Sequence, residues 1–452
     1  MESKQILEIL KEIVGKEYVS NELEELFIYS QDPGASEPRP IDFVVIPHSV
    51  DEIQNIVRLA NKEKIPIIPM GGGLTLSGLT IAVRGGIVVD LKRMGKIIEV
   101  NELCRYAVLE AGVTTGRLKA YINDNFPDLQ PPIPDSPTSA TIAGNVLIHG
   151  SGALSQKYGE HSGMINGLEV VLPNGEVCKL GSCAVSDYWF SKGPIPDLIG
   201  LFTSSFGTMG IITKVSIKLF PNPKFRDVVF GMTQDSAGLT DLMLKITSTD
   251  CAEDVMIGRG GSNETSSIMT YITGSSNEEL ESRRKIIEKI YNENKVQGVS
   301  LPERNLNIML EQPQTGAVFS ADWRKGGGFE YVGSFIPLDK IAVALDRGFK
   351  IAEKYGMTPA LLCRIIGKGH AVMFSNTFPF NRADPSDMEN ARNGLEETNK
   401  MILDIGGVPW KAELTGQKLM IEKMDPNYKK LFKNIRNVLD PNGIMNPGNW
   451  EV

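Results

Sequence analysis

The chain predicts an α+β protein of more than one domain, on three observations. A strand–helix–strand pattern over residues 43–68 runs directly into a glycine-rich loop. Later blocks around 106–113, 168–176 and 211–220 alternate in strand fashion between turn residues. Two long helix patterns, at 277–294 and from Pro385, flank further strand-like segments in the second half.

Taken in order, MESKQILEILKEIVG is an amphipathic helix carrying acids rather than a signal peptide. No apolar run approaches a transmembrane span, so a cytoplasmic protein is expected. Phe43 to Ile46 reads as a strand, Ser49 and Glu52 as a capping box, and Ile53, Ile56, Val57 and Ala60 as a helix face.

The run Ile65, Ile67, Ile68 then enters the loop Gly71, Gly72, Gly73, Leu74, Thr75, Leu76, Ser77, Gly78. Without Cβ atoms such a loop can aim consecutive N–H groups at one anion, and its hydroxyls add donors without charge. It reads as a diphosphate cradle. The spacing is not that of a dinucleotide-binding fingerprint, and Thr80, Ile81, Val83, Gly85 and Gly86 followed by Ile87 to Val89 predict turn and strand rather than helix. A phosphate loop of the Gly-Lys-Ser/Thr kind is absent. A plain glycine turn between buried strands stays open at this point.

Tyr106 to Val113 reads as a strand and Thr115 to Asn123 as a short helix. The loop FPDLQPPIPDSPTSATIAGN follows, stiffened by prolines from Pro131 to Pro137 and furnished with Ser136, Thr138, Ser139, Thr141 and Asn145. A rigid polar loop of this kind suits a heterocycle or ribityl chain; a surface Ω-loop is the alternative. Leu168 to Leu172 enters a hairpin turn at Pro173 to Glu176, and Ile211 to Phe220 is a long strand ending at the boundary-like Pro221-Asn222-Pro223. Beyond it, one helix opens at Asn277 with Leu280, Ile287, Ile290 and Tyr291 inward. The other, from Pro385, turns Met388, Ala391, Leu395 and Ile402 to one face and stops at Gly406-Gly407.

At 452 residues the chain is two or three domain-lengths, and 41% hydrophobic with 23% charged residues is ordinary for a globular enzyme. A net charge of -8 argues against nucleic acid or an anionic membrane as the main partner. The 5 cysteines are scattered without CxxC and the 4 histidines are isolated, so neither an iron–sulfur cluster nor another metal site is expected.

The glycine loop followed by GGIVVDL, then TSATIAGN, YGEHSGMINGLEVVLPNGE, GLFTSSFGTMGIITK and the terminal LDPNGIMNPG resemble, together and in this order, the FAD-linked oxidases of the vanillyl-alcohol oxidase/p-cresol methylhydroxylase superfamily. The resemblance implies an FAD-binding domain of two α+β subdomains over residues 1–225. An antiparallel-sheet cap with flanking helices over 226–404 and a C-terminal segment, 405–452, returning to the FAD domain would complete the fold. Pro69, Gly71, Gly72, Gly73, Leu74, Thr75, Ser77 and Gly78 would hold the diphosphate. Pro134, Asp135, Thr138, Thr141, Gly144 and Asn145 would line the flavin and ribityl side, Ile211 and Ile212 would touch the cofactor by backbone, and Asn446 would lie near the ring. Leu74, Ala140 and Ile142 would wall the flavin's oxygen-reactive carbon. Relatives that tether the flavin use a His or Tyr of the cap or a His in the phosphate loop; this loop has none, so FAD is expected to be held non-covalently.

Two branches of the superfamily compete for the substrate. The 2-hydroxy-acid dehydrogenases, of the glycolate oxidase flavoprotein and D-lactate dehydrogenase type, carry GDGNxH and GEHG stretches. Here GKGHAVMFSN and PWKAELTGQ stand in those places, keeping only His370 and Glu413 as proton-handling groups. The phenol-oxidising branch resembles the chain at YGEH, PDLIGLF and FNRADP, but its Tyr-Arg pair is Trp410-Lys411, which keeps a positive charge without the planar fork. Candidate catalytic residues are His370, Lys411, Glu413, His161, Arg364 and Arg324. His161 has a structural hydrogen-bonding role as its alternative, Lys411 an ordinary solvated one. Arg324 and Arg364, in apolar surroundings, call for either a carboxylate substrate or an internal acid partner.

The expected enzyme is an FAD-dependent dehydrogenase that oxidises a CH–OH group of a small hydroxy acid by hydride transfer to flavin N5. A protein acceptor, an electron-transfer flavoprotein or an iron–sulfur subunit, would take the electrons, and a homo- or hetero-oligomer is compatible. A phenolic or aryl-alcohol oxidoreductase and an electron-relay flavoprotein subunit are the alternatives.

Overall fold

A computed structural model describes residues 1–261, 265–311 and 327–452. Short β-branched runs build its first sheet, in the spatial order Val19–Ser20, Phe43–Val45, Ile87–Asp90, Ile67–Met70. The last three strands are parallel, which helix Val50–Glu63 makes possible by crossing from Phe43–Val45 to Ile67–Met70. Ser49 caps that helix by accepting from the Glu52 N–H, and the helix buries Ile53, Ile56, Val57 and Ala60. The glycine loop therefore leaves the carboxyl end of a parallel strand, where open sheets of this kind place their ligands.

The second sheet is antiparallel, in the order Ile97–Asn101, Tyr106–Glu110, Ile211–Lys218, Ile165–Val171, Val177–Gly181. Both sheets feed one apolar core, in which Val45, Ile67 and Val89 meet Leu109, Val170 and Ile211. The chain's last segment joins them. Ile67 donates its N–H to Ile444 at 2.7 Å and accepts from Asn446 N–H at 2.8 Å, while Phe432 and Ile435 of helix Pro426–Leu439 pack on the same core.

The third sheet has eight strands, in the order Gln297–Gly298, Phe225–Thr233, Ser266–Gly274, Ala252–Gly260, Ala360–Ile366, Ala371–Phe380, Gly328–Ile336, Val408–Trp410. Strand periodicity separates its faces. Val255, Ile257, Ile268, Leu361, Phe374 and Phe378 bury among helices Leu239–Thr247, Asn277–Glu293, Ile341–Lys354 and Pro385–Asp404. Their neighbours of opposite parity, among them Met256, Met269, Tyr271, Met373 and Ser375, look into a cavity.

This sheet recruits residues from beyond 226–404. Val408–Trp410 pairs with Gly333 to Phe335, Phe329 donates its N–H to Pro33 at 3.3 Å, and Ala35 lies in the cap core. Such short edge pieces carry no periodicity for a sequence to show. Among the described residues, no helix is long and apolar enough to cross a membrane.

Phe378 is fully buried between the third sheet and Gly394 of helix Pro385–Asp404. Phe378→Ala is expected to lower stability by about 3–5 kcal/mol, read as a reduced denaturant midpoint.

Candidate functional site

The glycine loop closes one end of a cavity of about 1080 Å³ between the two N-terminal sheets and the third sheet. That is beyond the roughly 300–1,000 Å³ of a drug-sized ligand site. From Gly71 to Leu76 no backbone N–H has an acceptor among the described residues. The hydroxyls of Thr75 and Ser136, both on the lining, are buried and without partners as well. Two of the glycines are required by closeness. A Cβ on Gly71 would stand 2.5 Å from Thr141 Oγ1, and one on Gly72 would stand 3.0 Å from the Ser139 carbonyl oxygen. The loop is not continued by a helix, but the amino end of a separate short helix, Ile142–Leu147 capped by Thr141, abuts it. A run of free amides, orphaned hydroxyls and a close-fitting wall suits a diphosphate with an attached polar chain, so the residues present fit FAD.

Of the expected cofactor residues, Pro69, Gly71, Gly72, Gly73, Leu74, Thr75, Pro134, Asp135, Thr141, Gly144, Asn145 and Ile212 line the cavity. Others brace it instead. Gly78 adopts φ 68° and donates its N–H to Asp32 Oδ2 at 2.8 Å, and its neighbour Ser77 is buried off the lining. Asn446 Nδ2 donates to the Leu79 and Phe206 carbonyls at 2.9 and 2.6 Å, tying the far end of the glycine loop to the turn before Ile211–Lys218. Thr138 is exposed, its carbonyl taken by the Gly116 N–H and the Thr115 hydroxyl. Ile211 and Ile142 turn into the core, whereas Ala140 stays on the lining.

The candidate catalytic residues scatter. His370 is exposed on the turn joining Ala360–Ile366 to Ala371–Phe380. Glu413 caps helix Leu414–Lys423 and accepts from Asn399 Nδ2 at 2.8 Å, with burial raising its carboxyl above the usual range. His161 is fully buried; its Nδ1 lies 2.7 Å from Asn145 Oδ1, and desolvation lowers its pKa to about 4. It is therefore neutral and orients an amide that faces the cavity. Arg324 lies outside the described residues. Arg364 is fully buried and finds internal acid partners, Asp135 and Asp254, as one of its two expected settings requires.

Of the described candidates, Lys411 alone is on the lining. It is 5% exposed rather than solvated, holds φ 43°, donates to the Thr75 carbonyl and stands 4.1 Å from the centre of the Tyr331 ring. Asp32 and Glu330 face it, two carboxyls that motif reading missed because neither stands in a motif. Desolvation raises both, Glu330 strongly, and the lysine's charge opposes the rise. Asp32 also accepts from Gly34 N–H at 2.9 Å, so it ties the glycine loop to a segment far from it in sequence.

The cap face of the cavity is mostly apolar: Phe230, Met232, Met256, Met269, Tyr271, Met373, Phe329, Tyr331 and Trp410. Alternation of Phe329 and Tyr331 around Glu330 was the one sign of this wall in the sequence. The cations among the described lining residues are Arg259, Arg304 and Lys411. Arg259 is held by Asp346, Ser236 and Ser266, and Arg304 is exposed. Among the described residues no group of three or more His, Cys, Asp or Glu is placed to hold a metal.

Two family models match the chain: an FAD binding domain over residues 41–181 and the C-terminal domain of FAD linked oxidases over 239–450. The glycolate oxidase subunit GlcD of Bacillus subtilis (strain 168) is 31% identical over 236 residues, 52% of this chain and 49% of that protein. The match thus spans about half the length of that relative. The mitochondrial D-lactate dehydrogenase [cytochrome] of Arabidopsis thaliana is 26% identical over 431 residues, 90% of this chain and 73% of that protein. A crystal structure of p-cresol methylhydroxylase with substrate bound superposes with a TM-score of 0.87 at 21% identity, covering 99% of this chain and 96% of that one. At that identity the likeness is one of fold.

Gly71→Val is expected to weaken FAD binding at least tenfold, measured by flavin fluorescence on titration, because the added side chain drives into Thr141. Gly200→Ala, where a Cβ meets nothing within 4 Å, is the control and should bind FAD as the parent does.

His161 gives a pH signature. Its folded pKa of about 4 lies below the unfolded value of 6.5, so its contribution is intact above pH 6.5 and lost as pH falls toward 4. Urea titrations should show a steeper loss of stability across that window in the parent than in His161→Gln, by up to about 3 kcal/mol.

Proposed function

The chain belongs to the FAD-linked oxidases of the vanillyl-alcohol oxidase/p-cresol methylhydroxylase superfamily, and from that premise we propose that it oxidises a CH–OH group and hands the electrons to a protein partner. FAD is its cofactor, and when bound it supplies the hydride acceptor. The chain's own residues do the rest. The amides from Gly71 to Leu76 and the Thr75 hydroxyl hold the diphosphate, and the Ser136 hydroxyl meets the polar chain beyond it. Asn145, oriented by His161, offers its amide toward the ring side. The cap wall excludes water from the reacting carbon, which strengthens every electrostatic contact around it.

The observation that carries the finer reading is the composition of that wall. Aromatic rings and flexible methionines bury an aryl or otherwise apolar alcohol well, and Met side chains adapt their shape to the guest. A lactate-sized acid would leave most of this surface facing water, so the wall supports an aryl or apolar alcohol. A small hydroxy acid is the second reading. It is favoured by Lys411, a buried cation on the lining able to meet a carboxylate, and by the similarity to glycolate oxidase and D-lactate dehydrogenase.

Anaerobic bleaching of the FAD-bound protein separates these readings. Bleaching by 4-hydroxybenzyl alcohol at least tenfold faster than by D-lactate or glycolate is the expected outcome. The reverse order assigns the enzyme to hydroxy acids. Bleaching by none of them, with reduction by a reduced electron-transfer protein, makes it a relay subunit.

A further inference from the structure

Two helices beside the first sheet each turn an apolar stripe outward. Helix Leu23–Tyr29 packs Leu26 and Tyr29 on the small core of Ile41, Val44, Ile68 and Val88. Helix Pro426–Leu439 packs Phe432, Ile435 and Leu439 on the large core, which takes the alternate strand residues Phe43, Val45, Ile67, Ile87 and Val89. Successive strand residues point to opposite faces, so the two helices serve opposite sides of one sheet, and no hydrogen bond or ion pair joins them among the described residues. The outer residues are Leu23, Phe27 and Ile28 on the first helix and Tyr428, Leu431 and Val438 on the second. Each is more than half exposed.

The charges around the two stripes are opposite and unmixed. The first helix and its cap hold Glu22, Glu24 and Glu25 and no cation. The second holds Lys429, Lys430, Lys433 and Arg436 and no acid, in a chain whose net charge is -8. A surface that serves solubility alone intersperses both signs, and these two do not. Among the described residues, none of the three glutamates and none of the three lysines forms an ion pair, while Arg436 is engaged by the carbonyls of Asn449 and Trp450. The chain thus carries an acidic apolar face and a basic apolar face, and each lacks what the other holds.

We propose that these faces are the two halves of a contact between copies of this chain, with helix Leu23–Tyr29 of one copy lying on helix Pro426–Leu439 of the next. Apolar stripe meets apolar stripe, and the glutamates meet the lysines at the rim. A second copy is the occupant because the surface that complements each face is already present on the chain. A further exposed apolar surface, Val185, Tyr188 and Phe190, has Asp187 and Lys192 beside it in sequence, charges of both signs, and complements neither face. The contact is heterologous, so each association leaves one face of each kind free until the assembly closes on itself. Two short helix faces make a small interface, which forms reversibly.

The test is the mass of the FAD-bound full chain in solution, by sedimentation velocity from about 1 to about 100 µM. The parent is expected to rise above its single-chain 49.5 kDa with concentration, and to rise less in high salt, which screens exposed charges. Glu24→Lys with Glu25→Lys, or Lys429→Glu with Lys430→Glu and Lys433→Glu, sets like charges together, so each variant alone should associate at least tenfold more weakly. Mixed in equal amounts, the two variants restore opposite charges at every contact between unlike copies and should assemble again, which repair of a folding defect would not explain. Phe27→Ser and Leu431→Ser should each weaken association, and Tyr188→Ser, on the other exposed surface, should leave it unchanged. A parent that stays at single-chain mass throughout overturns the proposal and leaves the two faces to other proteins. An assembly that survives both charge reversals, a mixture that stays apart, or dissociation by Tyr188→Ser overturns it too. If a charge-reversed chain loses FAD, Phe27→Ser and Leu431→Ser decide: weaker association supports the proposal and unchanged association overturns it.

Discussion

The tract from Gly71 to Leu76 is half-buried to exposed, faces the cavity and offers N–H groups to which the described protein supplies no acceptor. Much of the surrounding structure keeps that tract in place. Parallel strands aim it from their carboxyl ends, Gly71 and Gly72 let it press against Thr141 and Ser139, and Lys411 donates to the Thr75 carbonyl. Asp32 takes the Gly78 N–H, and Asn446 clamps the Leu79 carbonyl just beyond. Amides left open toward a cavity in this way are free to meet an anion that enters it.

The bracing residues come from three remote parts of the chain, and this joins cofactor loop to cap. Lys411 follows the last strand of the third sheet, Glu330 lies on the strand beside it, and Asp32 belongs to a segment that runs along the same sheet's edge. Desolvation raises both carboxyls and the lysine's charge opposes the rise, so the buried junction sets opposite charges against one another. The glycine loop and the apolar cap face are therefore held by one network.

What the sequence disclosed follows from range. The glycine tract, the Ser49 cap, the helix opening at Asn277 and the stop at Gly406-Gly407 are local patterns, and each appears where the pattern puts it. The α+β class and the glycine loop on the cavity were legible for the same reason, since strand runs and the loop are contiguous in sequence. Side-chain partnerships were not. Arg364 meets Asp135 across 229 positions and Asp254 across 110, and no spacing rule connects them. His370 and Glu413 looked like proton handlers because of the motifs they replace. The fold instead assigns one to an exposed turn and the other to a helix cap. The methionine wall was hidden because alternation within AEDVMIGRG or SSIMTYITG reads equally well with either face inward until a sheet is formed.

The two sides of the cavity have opposite chemistry, and the contrast limits where protons can move. The N-terminal side is main-chain amide and hydroxyl, groups that bind charge but do not titrate near neutral pH. The cap side is mostly hydrocarbon, thioether and aromatic ring. Burial raises the Tyr271 phenol above its ordinary value. His161 is neutral and turned toward Asn145, and Lys411 is engaged by a carbonyl and two carboxyls. Among the described lining residues there is one carboxylate, Asp135, and it stands where the proline-rich loop meets the buried Arg364. The seam between the N-terminal sheets and the third sheet thus brings together an apolar surface, a run of open amides and a carboxylate paired with a buried arginine.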